Sequence, residues 1–160
     1  MTTWINYRTL LVVFATSLVG FTGRSGMEGS YTVRTMNGDQ LPAELRIPTT
    51  EGDVRLFRLE QGVLTLKPGQ RFTLHFRYYH QLVRRGRRPV NTPVFSESET
   101  GRYNLRADTL WLAATKNDRR RRPPIAATLA GDEIRASYLL TDRTISSRVT
   151  LVLRRDPRYW

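Results

Sequence analysis

The stretch Arg71–Val83, RFTLHFRYYHQLV, decides the fold class of this chain. Large side chains occupy every second position of it, namely Phe72, Leu74, Phe76, Tyr78, His80 and Leu82. A period of two residues indicates a β-strand that buries one face. The same alternation recurs at Ile134–Leu140 and at Val149–Leu153, and no stretch after residue 30 keeps a helical period. The sequence therefore predicts an all-β domain.

Turn-forming residues separate these runs. Asn37-Gly38, Lys67-Pro68-Gly69-Gln70 and Ala130-Gly131-Asp132 are typical of tight reversals between neighbouring strands. Short connections favour an antiparallel meander, for which we expect eight to ten strands, including separate strands at Val54–Leu59 and Val63–Leu66. A meander of this size leaves no free edge when it closes on itself. We therefore predict a closed β-barrel over residues 29–154.

The first 26 residues differ from the rest, because Thr9–Gly23 carries no charge. One interpretation is a secretory signal peptide, with Arg8 before the apolar stretch; the other is a retained membrane-anchor helix. No Ala-x-Ala cleavage signal occurs, which favours a retained N-terminal apolar helix over residues 1–26. The expected anchor residues are Trp4, Tyr7, Leu10, Leu11, Val12, Val13, Phe14, Leu18, Val19 and Phe21.

The chain is strongly basic and has no cysteine. Its 160 residues contain 26 Lys and Arg against 14 Asp and Glu, a formal net charge of +12. Such a chain is attracted to anionic partners. The absence of cysteine excludes thiol catalysis, disulfides, cysteine-ligated zinc and iron–sulfur clusters. Lys67 and Lys116 are the only lysines, and arginine binds carboxylates and phosphates through two parallel hydrogen bonds.

Several short motifs occur in a characteristic order. They are Gly29-Ser30-Tyr31, Asn37-Gly38-Asp39-Gln40-Leu41-Pro42, Gly62-Val63-Leu64-Thr65-Leu66, Gly101-Arg102-Tyr103, Asp108-Thr109-Leu110-Trp111-Leu112, Gly131-Asp132-Glu133-Ile134 and Leu151-Val152-Leu153-Arg154. In order and spacing the chain resembles small bacterial lipocalin-like (calycin-type) proteins. The resemblance implies a lipocalin-like barrel and leaves the function open.

No combination of residues indicates a catalytic site. His75 and His80 lie five residues apart on one predicted strand and so face opposite sides of it, which prevents them from sharing a metal. Glu97 and Glu99 share a strand face but have no identifiable catalytic partner. We therefore expect no enzyme activity, no metal site and no cofactor.

Clusters of arginine are the clearest functional signal. In a meander, the loops at 84–93, 116–124 and 141–145 all fall at one end of the barrel. We expect the first two to contact an acidic protein surface, and not nucleic acid, because no aromatic residues flank them for base stacking. The expected partner-binding residues are Arg84, Arg85, Arg87, Arg88, Arg119, Arg120, Arg121 and Arg122.

The chain enters and leaves the predicted barrel at the opposite end. The tail at residues 155–160 combines arginine with tyrosine and tryptophan, which is typical of a membrane interface. The expected interfacial residues are Arg154, Arg155, Arg158, Tyr159 and Trp160.

Two functions follow from these patterns. The first is a non-catalytic accessory or structural subunit of a larger bacterial membrane protein complex, photosynthetic or respiratory, tethered to the inner membrane with its barrel on the periplasmic side. The alternative is a soluble periplasmic carrier that binds a small apolar ligand inside the barrel. Inward residues such as Phe72, Phe76 and Tyr138 either line such a cavity or fill it, and the sequence favours a filled interior.

Overall fold

The architecture follows from antiparallel strands joined in sequence order. A computed structural model describes residues 26–86, 93–115, 123–142 and 145–158. Its strands are β1 (Gly29–Met36), β2 (Asp39–Gln40), β3 (Ala43–Pro48), β4 (Val54–Lys67), β5 (Arg71–Val83), β6 (Phe95–Arg106), β7 (Thr109–Ala114), β8 (Ile125–Ala130), β9 (Glu133–Asp142) and β10 (Ile145–Arg155).

Eight of these strands form a closed antiparallel ring. From β4 to β10 each strand pairs with the next, β10 pairs with β1, and β1 pairs with β4. The predicted all-β antiparallel barrel is therefore confirmed. The predicted helix over residues 1–26 lies outside the described residues except for Gly26.

The ring closes through only one part of β4. Gly29–Thr32 pair with the second half of β4, at Val63–Leu66. The first half of β4, from Val54 to Leu59, pairs instead with β3. We call the half of the barrel where β1 and β4 meet the closed end, and the half bounded by β3 the open end.

A β-bulge on β4 changes which residues face inward. The pairing with β5 shifts register between Leu59 and Gln61, which leaves Glu60 as the extra residue. Inward positions are odd-numbered before the bulge and even-numbered after it, so the alternation is interrupted at Glu60. The sequence pattern therefore gives two short strands where the structure has one strand of 14 residues.

Side chains fill the closed end completely. Tyr31, Leu64, Leu66, Phe72 and Leu110 are each at most 1% exposed. The segment before β1 covers this end, because the Tyr31 hydroxyl donates a hydrogen bond to the Met27 carbonyl at 2.8 Å. Arg155 covers it from β10: its guanidinium lies 5.9 Å from the centre of the Tyr31 ring and donates to the Glu28 carbonyl.

Close packing at this end requires a glycine at position 101. A Cβ added to Gly101 would lie 2.1 Å from the Ala113 carbonyl oxygen and 2.6 Å from the Phe72 ring. Gly101 lies directly opposite Phe72 on β5, and the missing side chain makes room for that ring.

Candidate binding cavity

The barrel interior becomes progressively less filled along β5. The inward residues Phe72, Leu74 and Phe76 are 1%, 4% and 5% exposed, whereas Leu82 near the end of the strand is 40% exposed. Tyr78 is half-buried and His80 is exposed, although both continue the inward-facing series. The inward face of this strand therefore runs from a packed core to an accessible opening.

A cavity of about 380 Å³ occupies the open end. Its floor consists of buried side chains from five strands: Met36, Leu59, Phe76, Tyr138, Val149 and Leu151. Phe76 and Tyr138 contact each other edge to face there, with ring centroids 5.0 Å apart. Of the three aromatic residues expected to line or fill the interior, Phe72 is packed at the closed end and the other two line the cavity. The expectation of a filled interior holds for the closed end and is wrong for the open end.

One wall of the cavity is a series of aromatic rings. Phe57 and Tyr78 have centroids 5.0 Å apart, and Tyr78 and Phe95 stack at 5.8 Å. His80 stacks on Phe95 at 4.9 Å with an interplanar angle of 12°. Cross-strand pairing fixes this series, because Phe57 lies opposite His80 and Tyr78 lies opposite Phe95.

Polar groups reach this wall from β6. The Tyr78 hydroxyl donates a hydrogen bond to Glu97 Oε2 at 3.2 Å, and both residues line the cavity. Glu99 faces inward one step deeper and is only 7% exposed. Sequence analysis placed these two carboxylates on one face but did not identify that face as the interior. Gly101 and Tyr103 continue the same alternation along β6 and face the interior, so they indicate that the two carboxylates face the interior as well.

The two histidines face opposite sides of β5, as predicted. His75 lies on the outside, where Nδ1 is 2.8 Å from Ser98 Oγ and Nε2 is 3.3 Å from Ser96 Oγ. His80 lies at the mouth of the cavity against Phe95. Within the described ranges, no group of three His, Asp or Glu residues is arranged to hold a metal ion.

The strand ends next to the three arginine-bearing loops lie at the open end of the barrel. Alternating strand directions place the β5–β6, β7–β8 and β9–β10 connections together there. Arg84 and Arg85 are exposed, and the Arg85 backbone N–H donates to Asp53 Oδ1 at 3.2 Å. The other expected partner residues, Arg87, Arg88 and Arg119–Arg122, lie outside the described residues.

The arginines expected at a membrane interface have structural contacts at the closed end. Arg154 Nε lies 3.4 Å from Glu133 Oε2, and Arg155 pairs with Asp132 at 3.6 Å in addition to covering Tyr31. Arg158 binds the Asp156 carboxylate through two hydrogen bonds of 3.0 Å. Tyr159 and Trp160 lie outside the described residues.

These contacts shift several pKa values. The hydrogen bonds from Arg158 lower the pKa of Asp156 to about 2, and the hydrogen bond from Arg135 lowers that of Glu133. Burial raises the pKa values of Tyr31 and Tyr103. The two tyrosines therefore stay neutral at physiological pH, while the two carboxylates stay charged.

The expected anchor residues, from Trp4 to Phe21, lie outside the described residues. In the part of the chain that is described, no helix has the length and apolar character needed to span a bilayer. Comparisons with known proteins give no significant match: no family model, no curated protein and no solved structure matches the chain.

Proposed function

We propose that this protein is a non-catalytic binding protein whose barrel takes up a small apolar molecule through its open end. The observation that carries the proposal is the cavity of about 380 Å³ lined by Phe76, Tyr138, Val149 and the aromatic wall. Small-molecule sites are typically apolar clefts of about 300–1,000 Å³ with a few polar groups that orient the ligand. The Tyr78–Glu97 hydrogen bond supplies such a polar group.

The lining favours a flat or unsaturated ligand. Phe57, Tyr78, Phe95 and His80 present ring faces or edges, and aromatic contacts are most favourable with another planar group. A carboxylate at Glu97 and a guanidinium at Arg55 both border the same cavity. We infer a ligand with an apolar planar body and a polar end at the mouth.

The barrel supports the further proposal of a lipocalin-like protein. Lipocalins are eight-stranded up-and-down barrels that hold a ligand in the interior, and this chain combines a closed ring of eight strands with an open end. The proposal includes a periplasmic location for the barrel, whether residues 1–26 remain as an anchor or are removed as a signal peptide.

A pair of substitutions on β10 tests the cavity. Val149 is 1% exposed and lines the cavity, whereas Val152 is three residues along and faces the opposite side of the strand. Val149→Phe adds a ring inside the cavity, and Val152→Phe adds the same ring outside. We expect the neutral dye N-phenyl-1-naphthylamine to bind the wild-type protein and Val152→Phe, and to bind Val149→Phe at least tenfold more weakly.

A second variant separates loss of the site from loss of the fold. Leu140→Phe fills the same cavity from β9, where Leu140 is only half-buried and a larger side chain is tolerated more easily. Val149→Phe and Leu140→Phe, the two variants that fill the cavity, should both unfold near the urea midpoint of the wild-type protein. Equal dye binding by folded wild-type protein and folded filled variants would contradict the proposed site.

A second candidate function is the membrane-tethered accessory subunit of a larger bacterial complex. The exposed Arg84 and Arg85 and the shared location of the arginine-bearing connections at the open end support it. Arginine–carboxylate contacts that become desolvated at an interface each cost about 2–5 kcal/mol when one partner is removed. Changing the eight loop arginines to glutamine should therefore release the subunit from a complex purified from native membranes, with the fold intact. Retention of the variant at wild-type levels would contradict this candidate.

A further inference from the structure

The outer surface of the closed end carries four basic residues that have no carboxylate partner among the residues that the structure describes. Lys67, Arg71, Arg102 and Arg106 are all exposed and lie on β4, β5 and β6. Arg71 lies directly opposite Lys67 on one side and Arg102 on the other. We call these four residues the basic row.

The basic row differs from the other arginines of the closed end. Arg135 and Arg154 both pair with Glu133, and Arg158 pairs with Asp156. Within the described residues, no member of the basic row forms an ion pair.

This arrangement opposes folding. Like charges directly opposite each other on neighbouring strands destabilise a sheet, and Arg71 has one such neighbour on each side. An anionic partner that binds Lys67, Arg71 and Arg102 together would remove this repulsion. The arrangement therefore indicates binding and not stability of the isolated barrel.

An exposed tryptophan lies beside the basic row. Trp111 on β7 faces outward and is 43% exposed. Its cross-strand neighbours are Asn104 and Ala126, neither of which is large enough to cover an indole. Arg102 and Arg106 flank Asn104 at the diagonal positions, within reach of a long side chain. The tryptophan and the basic row therefore form one continuous surface.

We propose that Trp111 and the basic row form a docking surface for the anionic headgroups of a lipid bilayer. Arginine binds phosphate through two hydrogen bonds, and tryptophan favours the headgroup region, where its ring is apolar and its N–H remains hydrated. The position of the chain ends favours lipid over other anions. β1 begins at this end of the barrel, and it is preceded in sequence by the uncharged Thr9–Gly23.

The first test compares two double variants that remove the same charge from the same end. Arg71→Gln with Arg102→Gln removes half of the basic row, whereas Arg135→Gln with Arg154→Gln removes two arginines that already pair with Glu133. Binding of the full chain is measured on phosphatidylcholine vesicles with and without phosphatidylglycerol. The ratio of the two partition coefficients cancels any contribution of residues 1–25 that does not depend on lipid charge.

We expect the basic-row variant to lower this ratio by about fivefold for each charge, roughly 25-fold in all, and the control variant to lower it much less. Raising the salt to about 1 M, where the Debye length is about 3 Å, should remove most of the wild-type preference for anionic vesicles. Equal losses in the two variants would show that only net charge matters and would overturn the proposal. The proposal would also be overturned if the preference for anionic vesicles were lost only in a variant that carries Arg84→Gln and Arg85→Gln.

The second test reports on Trp111 directly. The chain has three tryptophans, and in a variant that carries both Trp4→Phe and Trp160→Phe only Trp111 remains. On anionic vesicles its emission should shift to shorter wavelength, and lipids brominated close to the headgroup should quench it. Emission that vesicles leave unchanged, or that duplex DNA shifts as strongly as vesicles do, would overturn the proposal. Unfolding of each variant in urea confirms that the barrel is intact.

Discussion

The two ends of the barrel use the same strands for different purposes. At the closed end, β4, β5 and β10 contribute Leu66, Phe72 and Leu153, each at most 2% exposed. At the open end, the same three strands contribute Phe57, His80 and Val149, and they surround a cavity. The difference arises where β4 changes its partner from β1 to β3, because the ring of backbone hydrogen bonds closes only through β1.

Because of this difference, the residues that stabilise the fold and the residues that bind a ligand lie at opposite ends of the barrel interior. A site that admits a ligand must keep apolar side chains incompletely packed, which forgoes part of the packing energy available to a filled core. The closed end provides the packing that the open end lacks. Mutations of inward-facing residues at the closed end should therefore affect mainly the free energy of unfolding, and mutations of inward-facing residues at the open end should affect mainly ligand binding.

The largest expected effect comes from removing a phenylalanine at each end. Phe72→Ala at the closed end should lower the free energy of unfolding by about 3–5 kcal/mol, because the packed ring leaves a cavity. Phe95→Ala at the half-buried aromatic wall should cost about 1 kcal/mol, since only part of its apolar surface is removed from water. Urea denaturation measures both values. Similar losses would contradict the division between the two ends.

A smaller effect is expected from adding one methyl group. Gly101→Ala places a Cβ 2.1 Å from the Ala113 carbonyl oxygen, so the β6–β7 pairing must shift. We expect a loss of about 1–3 kcal/mol. Gly26→Ala is the matched control, because nothing lies within 4 Å of an added Cβ there, and it should stay within about 0.5 kcal/mol of wild type. Equal stability of the two variants would show that the closed end is loosely packed.

The smallest effect concerns acid sensitivity at the closed end. Arg158 lowers the pKa of Asp156 from 3.8 to about 2 in the folded protein. The carboxylate therefore stabilises the fold above its unfolded pKa, and this contribution is lost as the pH falls from about 4 towards 2. The Asp156→Asn variant lacks this contribution at every pH. The difference in unfolding midpoint between the two proteins should be constant near neutral pH and should shrink in acid. A difference independent of pH would show that Arg158 does not stabilise the charged form.

The sequence was sufficient to predict most of the strands and their order, because alternation and turn residues are local signals. The run Arg71–Val83 corresponds to β5 over its whole length. β2 was missed because two residues show no period. The bulge at Glu60 divided β4 into two predicted strands because it reverses which residues face inward.

The candidate site depends on interactions that no local pattern contains. The cavity exists because β4 pairs with β1 in one half and with β3 in the other, and this exchange depends on contacts distant in sequence. Phe76 and Tyr138, 62 positions apart in the printed sequence, meet only after the ring closes. The basic row was missed for the same reason: Lys67, Arg71 and Arg102 become neighbours through cross-strand register.

The most direct test of the central claim is to locate a bound ligand inside the barrel. A crystal of the wild-type protein soaked with a brominated analogue of the naphthylamine dye gives an anomalous signal at the position of the bromine. The account predicts a single site at the open end, in contact with Phe76, Tyr138 and Val149, and no signal in crystals of Val149→Phe. A bromine bound only on the outer surface, or bound equally in both proteins, would contradict it.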